Sequence, residues 1–279
     1  MIKIITDTAS DLPIELAKQQ GIIVVPLKVN FEGQEYLDRY TLEVNDFYNK
    51  LVHCETLPTT SQPSPNDFLK HIEKAKENND EVIMILLSSQ LSGTYQSAML
   101  AKEMSGYDKV YVIDSLQATL GLQFLVNEAV RLKNSGNSVE KIVEAIEVLK
   151  HQVKVIGVVD TLEYLVKGGR LSKTSGIAGN LLKIKPILTL KEGKIEVLSK
   201  ARGMCKATNE TAKIISESGG IDLDYPVYIG YTGSDEGNEK FVCILQGECC
   251  FKEYQSYIVG STIGTHIGPG AKVIVYKSK

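Results

Sequence analysis

Short runs of aliphatic and β-branched residues recur along the first half of the chain, each closed by a small polar cluster and then by a helical pattern. Residues 2–5 form the first run, ended by Thr6-Asp7-Thr8. Pro13 then opens a helix that stops at Gly21, in keeping with proline at helix starts and glycine just past helix ends. Residues 22–29 are mostly β-branched and apolar, as a strand buried on both faces is. Residues 82–87 (VIMILL) and 110–113 (VYVI) repeat the pattern. Between 139 and 149 the period changes: Val139, Ile142, Val143, Ile146 and Leu149 form one apolar helical stripe. Strand–helix–strand alternation of this kind predicts a parallel sheet with right-handed crossovers.

The second half keeps the alternation with a different texture. Residues 153–159 predict another buried strand. Residues 186–190 and 195–198 flank Lys191-Glu192-Gly193-Lys194, which reads as a β-hairpin, so this sheet is expected to be mixed. Residues 227–231, 249–254 and 272–276 are further strand candidates. The expected fold class is therefore α/β, with two α/β domains at 1–155 and 156–279, the first mostly parallel and the second mixed. A ligand is expected between them, where pockets concentrate.

Composition narrows the partners. A net charge of −3 gives no electrostatic footprint for nucleic acid or an anionic membrane surface. The longest apolar run, residues 82–87, is far short of the roughly 20 residues of a membrane-spanning helix. The opening MIKIITDTASD turns acidic and polar too early for a secretory signal core, and the chain reads as cytoplasmic. Five cysteines without C-x-x-C spacing argue against a disulfide framework or a zinc site.

Familiar catalytic signatures are missing. The sequence has neither a P-loop nor a dinucleotide-binding G-x-G-x-x-G after a strand, and it lacks a G-x-S-x-G nucleophile elbow. Histidines 53, 71, 151 and 266 stand too far apart for a metal-binding helix motif. No cofactor is expected. What remains are hydroxyl- and glycine-rich clusters after apolar strands, the place where open α/β sheets bind ligands. Thr6-Asp7-Thr8 reads either as a helix cap or as part of a site. Thr60-Ser61-Gln62-Pro63-Ser64-Pro65 reads as a loop into a helix beginning at Pro65 and capped by Ser64, or as a hydroxyl-bearing binding loop. Ser92 and Gly93 open another helix; Ser92 serves as a cap, or it and the free backbone N–H groups hold an anion. Arg170 follows a flexible Gly168-Gly169 pair, Arg202 follows the hairpin, and His266 sits in a stretch with four glycines and a proline. That last stretch predicts a backbone packed closely against something.

These clusters, in order, resemble the DegV family of bacterial fatty-acid-binding proteins. The matching stretches are residues 6–13, 60–65, 89–95, 168–172 and 266–271, so the resemblance spans nearly the whole chain. It implies a long acyl chain, such as palmitate, enclosed between two α/β domains. Some family members are the lipid-carrying component of bacterial fatty acid kinase, whose separate ATP-binding subunit phosphorylates the bound acid for phospholipid synthesis. Carried onto this chain, the resemblance implies that Ser61, Ser92, Thr60 and Gly93 hold the carboxylate. It places Arg170, Arg202 and His266 near the head group or on a kinase-facing surface. Two other readings stay open: a serine-dependent acyl hydrolase or transferase with His266 as base, and a polyol-binding phosphotransferase subunit. The aliphatic and glycine-rich segments 177–184 and 258–267 fit a polyol pocket poorly.

Overall fold

A computed structural model describes residues 1–172 and 183–279, and segment 177–184 falls largely outside them. The first half runs β1 (Ile2–Asp7), a 3₁₀ turn (Thr8–Ser10), α1 (Ile14–Gln20) and β2 (Ile22–Val25). Then come β3 (Lys28–Phe31), β4 (Gln34–Leu37), α2 (Val44–Leu51), β5 (Thr59–Ser61) and α3 (Pro65–Glu77). It closes with β6 (Glu81–Leu86), α4 (Thr94–Ser105), β7 (Val110–Asp114), α5 (Thr119–Asn134) and α6 (Val139–Leu149). The second half comprises β8 (Val153–Val158), α7 (Glu163–Lys167), β9 (Ile184–Lys191), β10 (Lys194–Arg202) and α8 (Met204–Glu217). After them follow β11 (Tyr228–Tyr231), α9 (Asn238–Cys249), β12 (Gln255–Ile258), α10 (Ser261–Ile267) and β13 (Lys272–Lys277).

Among the described residues these strands form three sheets. A four-stranded parallel sheet has the order β2-β1-β6-β7, and a mixed six-stranded sheet the order β10-β9-β8-β13-β11-β12. This is the α/β architecture expected, with one parallel and one mixed sheet. The boundary expected at 155/156 falls inside β8, all of which belongs to the six-stranded sheet; the change of sheet comes between α6 and β8.

Two strand expectations need correction. The run at 22–29 is two strands in two sheets, because Pro26 has no N–H to donate and interrupts the ladder. After it, β3 turns away to pair with β4 and β5 in a small antiparallel sheet. Residues 249–254 are not a strand: α9 runs through Cys249, Cys250 caps it with φ 61°, and β12 starts only at Gln255. Phe241, Leu245 and Cys249 repeat at intervals of four, and this helical period outweighs the local β-like composition.

Helix α5 ties the halves together. Residues Thr119 to Val126 are all buried, so the helix has no solvent face over this stretch, as expected of one enclosed in a core. It touches β1 and β6 of the first sheet and β8, β11 and β13 of the second. The main apolar core is accordingly continuous from Ile4 and Ile83 through Leu122 and Leu125 to Val155, Val273 and Val275.

Candidate functional site

A cavity of about 100 Å³, partly open to solvent, lies where the halves meet. The first half supplies Leu27, Thr60, Leu87, Leu91, Ser92, Ala118 and Thr119 to its wall. From β8, the residue after it and β9 come Val155, Gly157, Val159, Leu188, Thr189 and Leu190, and from further on Ile195, Ile263, Ile267 and Val273. Most of the wall is therefore aliphatic. Three of its hydroxyls are already committed: Thr119 donates to Asp11 (2.6 Å), Thr189 to the Val155 carbonyl (2.8 Å) and Thr262 to Asp38 (2.6 Å).

The remaining polar groups are brought together by a chain of contacts. Thr60 Oγ1 lies 2.8 Å from His266 Nε2. His266 packs against Gly168, where a β-carbon would overlap Nδ1. The Gly168 carbonyl accepts Arg170 Nη1 (2.6 Å), and Arg170 Nε donates to the Leu91 carbonyl (3.1 Å) beside Ser92. Ser92 Oγ lies 2.9 Å from Thr94 Oγ1 at the N-terminus of α4, where the helix dipole favours negative charge. One cluster thus holds two hydroxyls, an imidazole, a guanidinium and a helix N-terminus on an otherwise apolar wall.

Burial sets the electrostatics. It pushes the His266 imidazole down to about 4, with the Arg170 charge adding to the effect, so the ring is neutral at pH 7. Its Nδ1 has no partner among the described residues. Burial also lowers Arg170 from its ordinary value, although the guanidinium stays charged at neutral pH.

The frame behind the cluster explains the glycine-rich stretch. Asp38, fully buried, accepts Ser261 N (3.3 Å), Thr262 N (3.2 Å) and Thr262 Oγ1 (2.6 Å), fixing the start of α10, which carries His266. Asp11 accepts Gly260 N (2.7 Å) and Arg39 Nη2 (3.2 Å). Burial outweighs the neighbouring Arg39 charge and pushes Asp11 up to about 6. Gly264 lets α10 lie directly on Phe47 and Tyr48 of α2, where any β-carbon would collide with both rings. These residues escaped the sequence reading because their partners are more than 200 positions away. Asp7 takes the capping alternative: it accepts Ala9 N (2.9 Å) and Leu87 N (2.8 Å).

Thr60, Ser92, Arg170 and His266 thus meet at the cavity, whereas Ser61 and Arg202 do not line it. Ser61 is exposed because β5 alternates its side chains, and Thr60 is the one turned inward. Arg202 ends β10 as an exposed residue. Gly93 leaves room for the end of the Gln62 side chain, whose amide donates to Ser97 Oγ (3.1 Å). That contact ties the 60–65 loop to α4. Ser64 does cap α3, its N–H and hydroxyl both donating to Asp67 (2.9 and 2.7 Å).

The site combines a mostly aliphatic cavity wall with one compact cluster of polar groups. The chain belongs to the DegV family: the family model, described as "Uncharacterised protein, DegV family", matches residues 1–279. A DegV domain-containing protein of Caldanaerobacter subterraneus is 37% identical over 278 residues, covering 100% of this chain and 99% of that protein. A Thermus thermophilus DegV family protein, described as binding fatty acid, superposes with a TM-score of 0.89 at 34% identity, covering 99% of each chain. A stearic-acid-binding protein from Eubacterium ventriosum superposes with a TM-score of 0.90 at 26% identity, over 99% of this chain and 98% of its own. Among the described residues no His, Cys, Asp and Glu group could hold a metal ion, and no helix is long and apolar enough to cross a membrane.

Proposed function

We propose that the chain binds one long-chain fatty acid, such as palmitate, with its tail in the cavity and its carboxylate at the Thr60–Ser92–Arg170–His266 cluster. The observation that carries this reading is the convergence of those four groups on a wall that is otherwise aliphatic. Burying about fourteen methylenes at ~0.8 kcal/mol each gives an upper bound near 11 kcal/mol, part of it offset by immobilising the chain. The carboxylate cannot share the apolar space unpaired, because an isolated buried charge costs several kcal/mol. Two hydroxyls, the amides opening α4 and a nearby cation supply its partners. Isothermal titration with palmitate and with hexadecanol tests this directly. The acid is expected to bind at least tenfold more tightly; equal affinities would remove the carboxylate from the account.

The same reading makes the chain a carrier without turnover of its own, presenting the carboxylate to an ATP-dependent fatty acid kinase subunit. Its support against a serine hydrolase is that His266 pairs with Thr60, and that Nδ1 has no carboxylate to orient the ring among the described residues. Arg202, exposed and away from the cavity wall, would face that partner. Arg202→Ala is expected to leave fatty-acid binding within about threefold while sharply lowering acyl-phosphate formation by chain and kinase together. A loss of binding comparable to that of Ser92→Ala would contradict this assignment.

A further inference from the structure

Strand β8 crosses the cavity wall with Val155 and Gly157 on one face, continued by Val159 just past its end, while Ile156 and Val158 point into the core on the other. Its neighbours bring two more wall residues alongside, Leu188 of β9 and Val273 of β13, both in register with Gly157. Gly157 is therefore the bare centre of a patch of four aliphatic side chains.

A glycine inside a central strand is costly in backbone entropy and normally has a local reason. Gly157 has neither of the usual ones. Its φ is not in the left-handed region, so its backbone conformation is open to any residue. Nor is it squeezed: among the described residues a β-carbon there would meet only Val273 Cγ2, at an ordinary 3.7 Å. Gly230, inside β11, shows the contrast, since its β-carbon would press on Leu120, Val259 and Val273 at 3.0–3.3 Å. At Gly157 the missing side chain leaves room on the cavity side, and its surface stays partly accessible although Ile156 and Val158 are 3% and 0% exposed.

The position along the wall is also informative. Val159 packs with Leu165 and Ile267, next to His266, so that end of the strand adjoins the polar cluster. Val155, at the other end, lies against Gly121 of α5, where a β-carbon would collide with it. Gly157 stands between them, about 7 Å along the strand from each.

We infer that Gly157 is a specificity-determining residue: by leaving β8 bare between Val155 and Val159, it sets how far an acyl chain can run from the polar cluster. The inference rests on the fatty-acid reading above and concerns the length of chain accepted at that same site. A side chain at 157 would occupy the space of the methylenes that pass over it, and each methylene excluded from burial lowers affinity about fourfold.

The test is exchange of the full-length protein and its Gly157→Ala, Gly157→Val and Gly157→Leu variants against an equimolar mixture of saturated acids of ten to eighteen carbons. The bound acids are then recovered and measured by mass spectrometry. The preferred length is expected to fall stepwise through the series. In Gly157→Leu the ratio of sixteen- to twelve-carbon acid should drop roughly 50-fold relative to wild type, as expected for about three excluded methylenes. Valine suits a strand, and alanine adds one ordinary contact, so these two carry the test even if the leucine variant does not fold. An unchanged profile in all variants, or an equal loss at every length, would overturn the assignment. Wild type that recovers no acid of any length would instead overturn the fatty-acid reading itself.

Discussion

Thr60 and Ser92 offer hydroxyls to one small volume, and a carboxylate brought there exchanges water for charge-assisted hydrogen bonds worth roughly 1.5–3 kcal/mol each. Thr60→Ala and Ser92→Ala are each expected to weaken fatty-acid binding about ten- to a hundredfold, measured by titration. The double variant should lose less than the sum, because both hydroxyls serve one group. Ser61→Ala, exposed on the far side of β5, should stay within about threefold; a larger loss would contradict the geometry. His266 gives a second expectation. Its folded value near 4 lies below the ordinary 6.5, so the stability it contributes is present above pH 6.5 and is lost as pH falls towards 4. In the lipid-free protein its ring resonances should not titrate above pH 5 by NMR, and bound fatty-acid carboxylate should raise the midpoint. A midpoint near 6.5 without lipid would contradict the burial argument. At this scale Ser92, Arg170 and His266 were legible as residues in glycine- and hydroxyl-rich loops. Choosing between Thr60 and Ser61 was not, because it depends on the phase of a three-residue strand within a segment read as a loop.

Elements with an uninterrupted period were readable. Val139–Leu149 carries its own apolar stripe and forms α6 over that span, and the hairpin about Gly193 forms β9 and β10. Elements decided by a single residue or a distant partner were less so: Pro26 redirects a mostly apolar run into a second sheet, and α10 depends on Asp38, 223 positions before Ser261. Asp38 caps α10 with three hydrogen bonds from a site with no exposure. Asp38→Ala leaves those donors buried without a partner, and urea unfolding is expected to show a loss of roughly 2–4 kcal/mol. The same variant should weaken fatty-acid binding, because α10 positions His266. A change below about 0.5 kcal/mol would mean that α10 is held chiefly by its packing on α2.

Across the whole molecule, the cavity is assembled from chain segments as far apart as Leu27 and Val273, so neither its volume nor its apolar continuity could be read from any one motif. The alternation of strands and helices did anticipate two differently built sheets. It could not show that α5 is enclosed between them, or that the core and the cavity share residues such as Val155 and Val273. On the function proposed above, this shared interior holds one long-chain fatty acid. Mass spectrometry of an organic extract of the freshly purified protein would detect it. A saturated or monounsaturated long-chain acid is expected at close to one molecule per chain; protein that carries no acid, or a bound polyol instead, would rule fatty-acid binding out.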